Sequence, residues 1–224
     1  FKLNKQLNIL YRVRRGSVGG HLVQLERLSS AGGEVQEAMA AIKELKDAFL
    51  AAEDAGLALT EGEGAWRLSA KTSARSGALL EALAALRKRI AEFVGIVRTV
   101  FEGIAEEEQD DPIVWESKFA VKRLEFIGTL CLHFAEWGER PESIFWIERL
   151  RLPQRSSRSG DKDSPWYPRF VQTPLSIAPM MKEGVFEPFR TVICTSATLR
   201  IANQFAYWMH RTGISLVEEE RVIS

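Results

Sequence analysis

The residues best suited to chemistry lie near the end of the chain, in Thr191-Val192-Ile193-Cys194-Thr195-Ser196-Ala197-Thr198-Leu199. The β-branched and apolar run Thr191 to Cys194 predicts a buried strand. That strand would hand the hydroxyls of Thr195, Ser196 and Thr198 to one loop, ahead of a helix predicted over 200–214. Small side chains such as Ala197 at the carboxyl end of a parallel strand leave hydroxyls exposed where ligands sit in open α/β sheets. There they can hydrogen-bond to the acidic groups that handle Mg²⁺ and water in phosphoryl transfer. The same hydroxyls can instead satisfy backbone groups at a strand-to-helix turn.

A second kind of chemistry, contact with phosphates, is open to three basic clusters. Arg12, Arg14 and Arg15 flank a glycine-rich turn. Lys71, Arg75, Arg87, Lys88 and Arg89 lie around the start of a long helix, where Arg87-Lys88-Arg89 reads as a solvated face. Arg151, Arg155, Arg158 and Arg169 surround a loop bearing Trp166 and Tyr167. Aromatic stacking combined with phosphate neutralisation is how non-specific single-strand binders work, which makes "PWYPRF" the favoured strand-contacting loop. Trp166 and Tyr167 have a second use, pinning the loop to a core by burying apolar area.

Composition bounds these readings. Thirty basic residues balance thirty acidic ones among 224, so net charge selects no partner. Its distribution is uneven, basic over 1–29 and acidic over 102–116. The two cysteines, Cys131 and Cys194, sit in apolar runs without a CxxC neighbour. They predict two buried, reduced thiols in a cytoplasmic protein, with no disulfide framework and no metal site. Nothing reaches the roughly 20 apolar residues that a membrane span needs, and no signal peptide opens the chain. The first residue is Phe1, which suggests a piece of a longer polypeptide.

The elements that must position these residues follow from periodicity. Short helices are predicted over 3–13 and 21–29, separated by "RRGSVGG". Val35, Met39, Ile42, Leu45 and Phe49 mark a helix over 33–55, with Gly56 as its stop. Leu79, Leu83, Leu86, Ile90, Phe93, Val97, Val100 and Ile104 form the strictest seam, with Ser76 as its cap. A further helix from about 113 to 137 carries Leu124, Ile127, Cys131 and Phe134 on one face. Three long helices joined by short polar turns predict an antiparallel bundle. After residue 142 the period changes: 143–175 reads as a hairpin around a long polar loop, followed by a short helix and the strand at 191–194. The expectation is a mainly α chain with a helical domain at 1–142 and a β/α piece at 143–224, part of an α/β sheet whose other strands lie outside the chain.

"VICTSATLRIANQFAYWMHRTGI" resembles the third helicase motif, and the helix after it, of the DinG/XPD group of superfamily-2 DNA helicases. The preceding "SIFWIER" and "FVQTPLSIAPMMKEGVFEPFRT" are similar to the strand, Pro-Leu turn and short helix that lead into that motif. The opening "LNKQLNILYRVRRGSVGGHLVQL" is similar to the segment shortly after the family's DEAH box. The resemblance covers both ends of the chain; the middle matches by architecture alone. It implies that the helices are the arch inserted into the first RecA-like motor domain, forming part of the passage for single-stranded DNA. It also implies that Thr195, Ser196, Ala197 and Thr198 couple the nucleotide site to strand movement.

The same resemblance sets what this chain would not do. It has no G-x-x-x-x-G-K-[ST] phosphate cradle, no DEAH box and no four-cysteine cluster. ATP and Mg²⁺ would bind elsewhere in the parent protein, as would the iron–sulfur cluster that some members carry. The chain alone is therefore expected neither to hydrolyse ATP nor to unwind DNA. Its expected partners are single-stranded DNA, through Arg12, Arg14, Arg15, Arg155, Arg158, Trp166, Tyr167 and Arg169, and the remaining motor domains of the same polypeptide. The parent would be cytoplasmic and nucleoid-associated, with no membrane partner. The competing reading is a non-enzymatic helical scaffold or protein-docking module.

Overall fold

The computed structural model describes residues 3–14, 17–62, 64–151, 166–195 and 204–217. Its elements in chain order begin with helix α1 (Leu3–Leu10), the ribbon β1 (Arg12–Arg14) and β2 (Ser17–Gly19), and helix α2 (His21–Leu28). The long helices α3 (Gly32–Leu59), α4 (Gly77–Glu102) and α5 (Pro112–Ala135) follow, with strand β3 (Ala65–Leu68) between the first two. Strands β4 (Ser143–Arg151) and β5 (Trp166–Pro174), then the short helices α6 (Ala178–Met181) and α7 (Ala206–Thr212), complete the described chain. Helix dominates, and both sheets are small.

The chain divides into two compact units. One is Phe1–Pro141 with Phe145–Gln172; the other is Glu142–Ile144 with Thr173–Ser224. The hairpin therefore belongs mostly with the helices, whereas the sequence grouped all of 143–224 together. The reason is the pairing of β4 with β3, an element between the first two long helices. The register sets Trp66 opposite Ile147 and Leu68 opposite Phe145, and all four side chains enter the helical core.

In the first unit α3 packs on α4 and α4 on α5, while α1 and α2 pack on α5. Helices α4 and α5 run antiparallel: Ile90 lies against Gly128, and Arg98, about two turns further along α4, pairs with Glu125, further back along α5. Between α3 and α4, Glu44 meets Arg89 at mid-helix. The α4 seam is buried along its whole length, from Leu79 to Ile104. Each of these side chains leaves water at about 25 cal/mol per Å² of apolar area, which far exceeds any helix-propensity term.

The helix ends differ from expectation in instructive ways. Helix α3 runs on to Leu59, and the Thr60 hydroxyl donates to the Gly56 carbonyl at 3.0 Å. Gly56 is a packing residue: a Cβ there would lie 2.9 Å from Phe170 Cζ and 3.0 Å from Pro168 Cβ. Ser76 precedes α4 without capping it, since its hydroxyl donates to the Ser73 carbonyl at 2.6 Å. Helix α5 does have a side-chain cap, Asp111 Oδ1 accepting from the Ile113 amide at 2.7 Å, and starts on Pro112 as fixed φ allows. Met39, Phe49 and Ile127, expected in the core, lie at its half-buried margin.

In the second unit the Leu175 amide donates to the Glu142 carbonyl at 2.7 Å, closing the base of the hairpin. Helix α7 ends on Gly213 at φ 85°, where a Cβ would strike the Ala178 carbonyl oxygen at 2.2 Å. Only glycine fits there, because the backbone is both left-handed and in contact with α6.

Candidate nucleic-acid interface

Residues 191–195 form no strand. Ile193 is 83 % exposed and Val192 37 %, so the apolar run is not buried as its composition predicted. A lone strand has no ladder partner for its N–H and C=O groups, and among the described residues no strand lies beside this one. Thr195 is exposed, while Ser196, Ala197 and Thr198 lie outside the described residues. Cys194 is half-buried rather than buried; Cys131 is buried.

The basic candidates separate in space. Arg12 is exposed on β1, in the two-stranded ribbon with β2; Arg14 pairs with Ser17 across it, and Arg15 lies outside the described residues. Arg155 and Arg158 also lie outside them. Arg89 contacts both Glu44 and Glu92 at 2.8 Å and Lys88 meets Glu92 at 3.9 Å, so the solvated face that the sequence suggested is also ion-paired.

The hairpin gathers the rest. Strand order β3-β4-β5 brings Trp166, Tyr167 and Arg169 beside β4. Alternation along β4 turns Phe145 and Ile147 into the core and leaves Trp146 and Glu148 on the outer face. Glu148 organises that face. Its Oε1 accepts from the Trp146 indole N–H at 2.9 Å, and its Oε2 accepts from Arg169 Nε at 2.5 Å. The Trp146 bond first, and Arg169 with it, hold the Glu148 carboxyl below its usual range, outweighing the opposing effect of burial. Glu148 thus stays ionised at neutral pH and offsets the charge of Arg169.

At the open end of the hairpin the Arg149 guanidinium lies 5.3 Å from the centre of the Trp166 ring. Arg149 escaped the sequence reading because nothing in local spacing marks which strand residue will cross to an aromatic on the neighbouring strand. Arg67, exposed on β3 opposite Trp146, was missed for the same reason. By alternation the hairpin carries two clusters on opposite faces, Trp166 with Arg149 on one and Arg169 with Glu148 on the other.

Other chemistry finds little support among the described residues. No group of three or more His, Cys, Asp or Glu side chains is placed to hold a metal ion. His21 Nδ1 lies 3.1 Å from Ser117 Oγ, and His133 Nδ1 lies 2.7 Å from Gln172 Oε1; both link elements of the first unit. Burial raises the Cys131 thiol to about 12, which keeps it protonated and unreactive. No described helix is long and apolar enough to cross a membrane. No family model, no curated protein and no solved structure matches the chain significantly.

Proposed function

We propose that this chain is part of an ATP-dependent DNA helicase of the DinG/XPD kind, combining the helical arch with the end of the first RecA-like motor domain. The observation that carries the reading is the run "TPLSIAPMMKEGVFEPFRTVICTSATL", in which a Pro-Leu turn and a short helix lead into the Ser-Ala-Thr motif. The predominantly helical first unit and the Arg149–Trp166–Arg169 hairpin agree with a part that steers single-stranded DNA. In this role Trp166 offers a face to a base with Arg149 and Arg151 on its side of the hairpin to take phosphates, and Arg169 adds positive charge on the other face.

Thr195, Ser196 and Thr198 would report the state of the nucleotide site to the strand by hydrogen bonding. The chain contains no phosphate cradle, so ATP and Mg²⁺ fall to other parts of the parent and no hydrolytic step is assigned to these residues. In the full enzyme, Ser196→Ala or Thr198→Ala should leave ATP binding nearly intact and weaken unwinding. Equal loss of binding and hydrolysis contradicts the coupling role.

The direct test is binding of the 224-residue chain to a fluorescent single-stranded oligonucleotide across a salt series. Weak binding that falls steeply with salt, and falls further in Trp166→Ala and Arg169→Ala, supports a strand guide. No binding even at low salt removes that role from this region. A second reading, a helical protein-docking module, draws on a different observation: α5 carries large exposed aromatic side chains.

A further inference from the structure

Helix α5 buries one face on its neighbours and carries large, half-exposed aromatic side chains on a second. Trp115 is 60 % exposed, Phe119 41 % and Phe126 56 %. At 100° per residue these three and Lys122 fall within an arc of about 60°, a stripe roughly 16 Å long. Exposed aromatic area concentrated on one helix face marks an interaction surface. The Trp115 and Phe119 rings meet edge-to-face at 4.2 Å and 67° and form one continuous aromatic surface. Glu116 and Arg123 border the stripe on one side, Lys118 and Glu125 on the other.

We propose that the stripe binds the same stripe of a second copy of this chain, with the two α5 helices antiparallel across a twofold axis near residues 120 and 121. The stripe is self-complementary about that point. The axis sets Trp115 against Phe126 of the second copy and Phe119 against its Lys122, an aromatic contact and a cation–π contact, each made twice. The flanks agree independently. A twofold axis normal to two antiparallel helices brings each flank against the same flank of the other copy. One flank then sets Glu116 against Arg123 and the other sets Lys118 against Glu125, each offset along the axis by about 3 Å.

The intrachain partners leave room for this. Glu116 is exposed and, among the described residues, meets His21 Nε2 at 3.4 Å. Arg123 has a long bond to Gln6 Oε1, at 3.3 Å. Glu125 already pairs with Arg98, and Lys118 with Gln109 Oε1, so the second flank adds to existing bonds. Three half-exposed aromatics and four flanking side chains per copy bury on the order of 1,000 Å² in total, the scale of a reversible rather than a permanent dimer. The inference does not depend on the helicase reading.

Sedimentation equilibrium of the intact chain from about 1 to 300 μM tests it, with circular dichroism checking the fold of each variant. The expected result is a monomer–dimer equilibrium in the micromolar range that Phe119→Glu abolishes with its helical spectrum unchanged. Arg123→Glu alone should weaken dimerisation at least tenfold by setting acids against acids. Glu116→Arg combined with Arg123→Glu should restore it, which a mere folding defect would not do. A chain monomeric at every concentration overturns the proposal, as does a dimer indifferent to Phe119→Glu or one that the double reversal leaves weak. So does a monomer that uses Trp115 to bind an oligonucleotide or lipid vesicles.

Discussion

Glu148 is the residue on the hairpin whose replacement separates structure from binding. Glu148→Gln keeps a carbonyl oxygen where Oε1 accepts the Trp146 indole bond, so that contact survives. The ion pair with Arg169 is lost. The Arg169 side chain is 57 % exposed, and pairs in such settings contribute about 0–1 kcal/mol, so the fold should lose no more than that. Binding moves the other way. Arg169 is freed for a phosphate and one negative charge leaves the surface, so single-strand affinity at low salt should rise several-fold. The slope of log K against log salt should steepen by roughly 0.7, the value for one further phosphate on a single strand. Fluorescence anisotropy of a labelled oligonucleotide from 20 to 200 mM salt reads both quantities, over the range in which counterion release is roughly linear. Unchanged affinity with an unchanged slope would refute the idea that Glu148 restrains Arg169 in a strand-binding surface.

Three further outcomes are expected. Glu148 is held below its ordinary value of 4.5, so its pair stabilises the fold at neutral pH and is lost as pH falls through the lowered folded-state value. Urea melts of wild type and Glu148→Gln should therefore differ at pH 7 and converge toward pH 3, the region below ordinary carboxylate titration; a difference that grows on acidification has the wrong sign. Gly56→Ala should gain about 1 kcal/mol in helix propensity but lose 1–3 to overpacking against Phe170 and Pro168, for a net destabilisation. The same change in a Phe170→Leu background should be neutral or stabilising, so a stabilised single mutant contradicts the close approach. A thiol reagent should label Cys194 in the native chain and reach Cys131 only on unfolding; two equally fast thiols would be inconsistent with the burial of Cys131.

The amino-acid order alone determined the three long helices, whereas the helix expected over 3–13 ends at Leu10 and gives way to strand β1. The heptad-like recurrence from Leu79 to Ile104 is a local property, since residues three and four apart share a face whatever else the chain does. Seven of the eight side chains it marks are buried in α4, and the eighth, Ile104, is buried just past its end. Pro112 marked the break between α4 and α5 because its fixed φ is also a local property.

What the tertiary structure decided is everything that depends on residues far apart in sequence. Gly56 looked like a stop signal and proved to be the gap that admits Phe170 and Pro168. The extended piece around Trp66 gave no hint that it would pair with β4 and draw the hairpin onto the helices. Arg149 reached Trp166, and Glu148 reached Arg169, only once two strands lay side by side. The run Thr191 to Cys194 shows the same dependence in reverse. Its composition favours a strand, but a strand exists only where a neighbour supplies hydrogen bonds, and propensity without a partner leaves the backbone exposed.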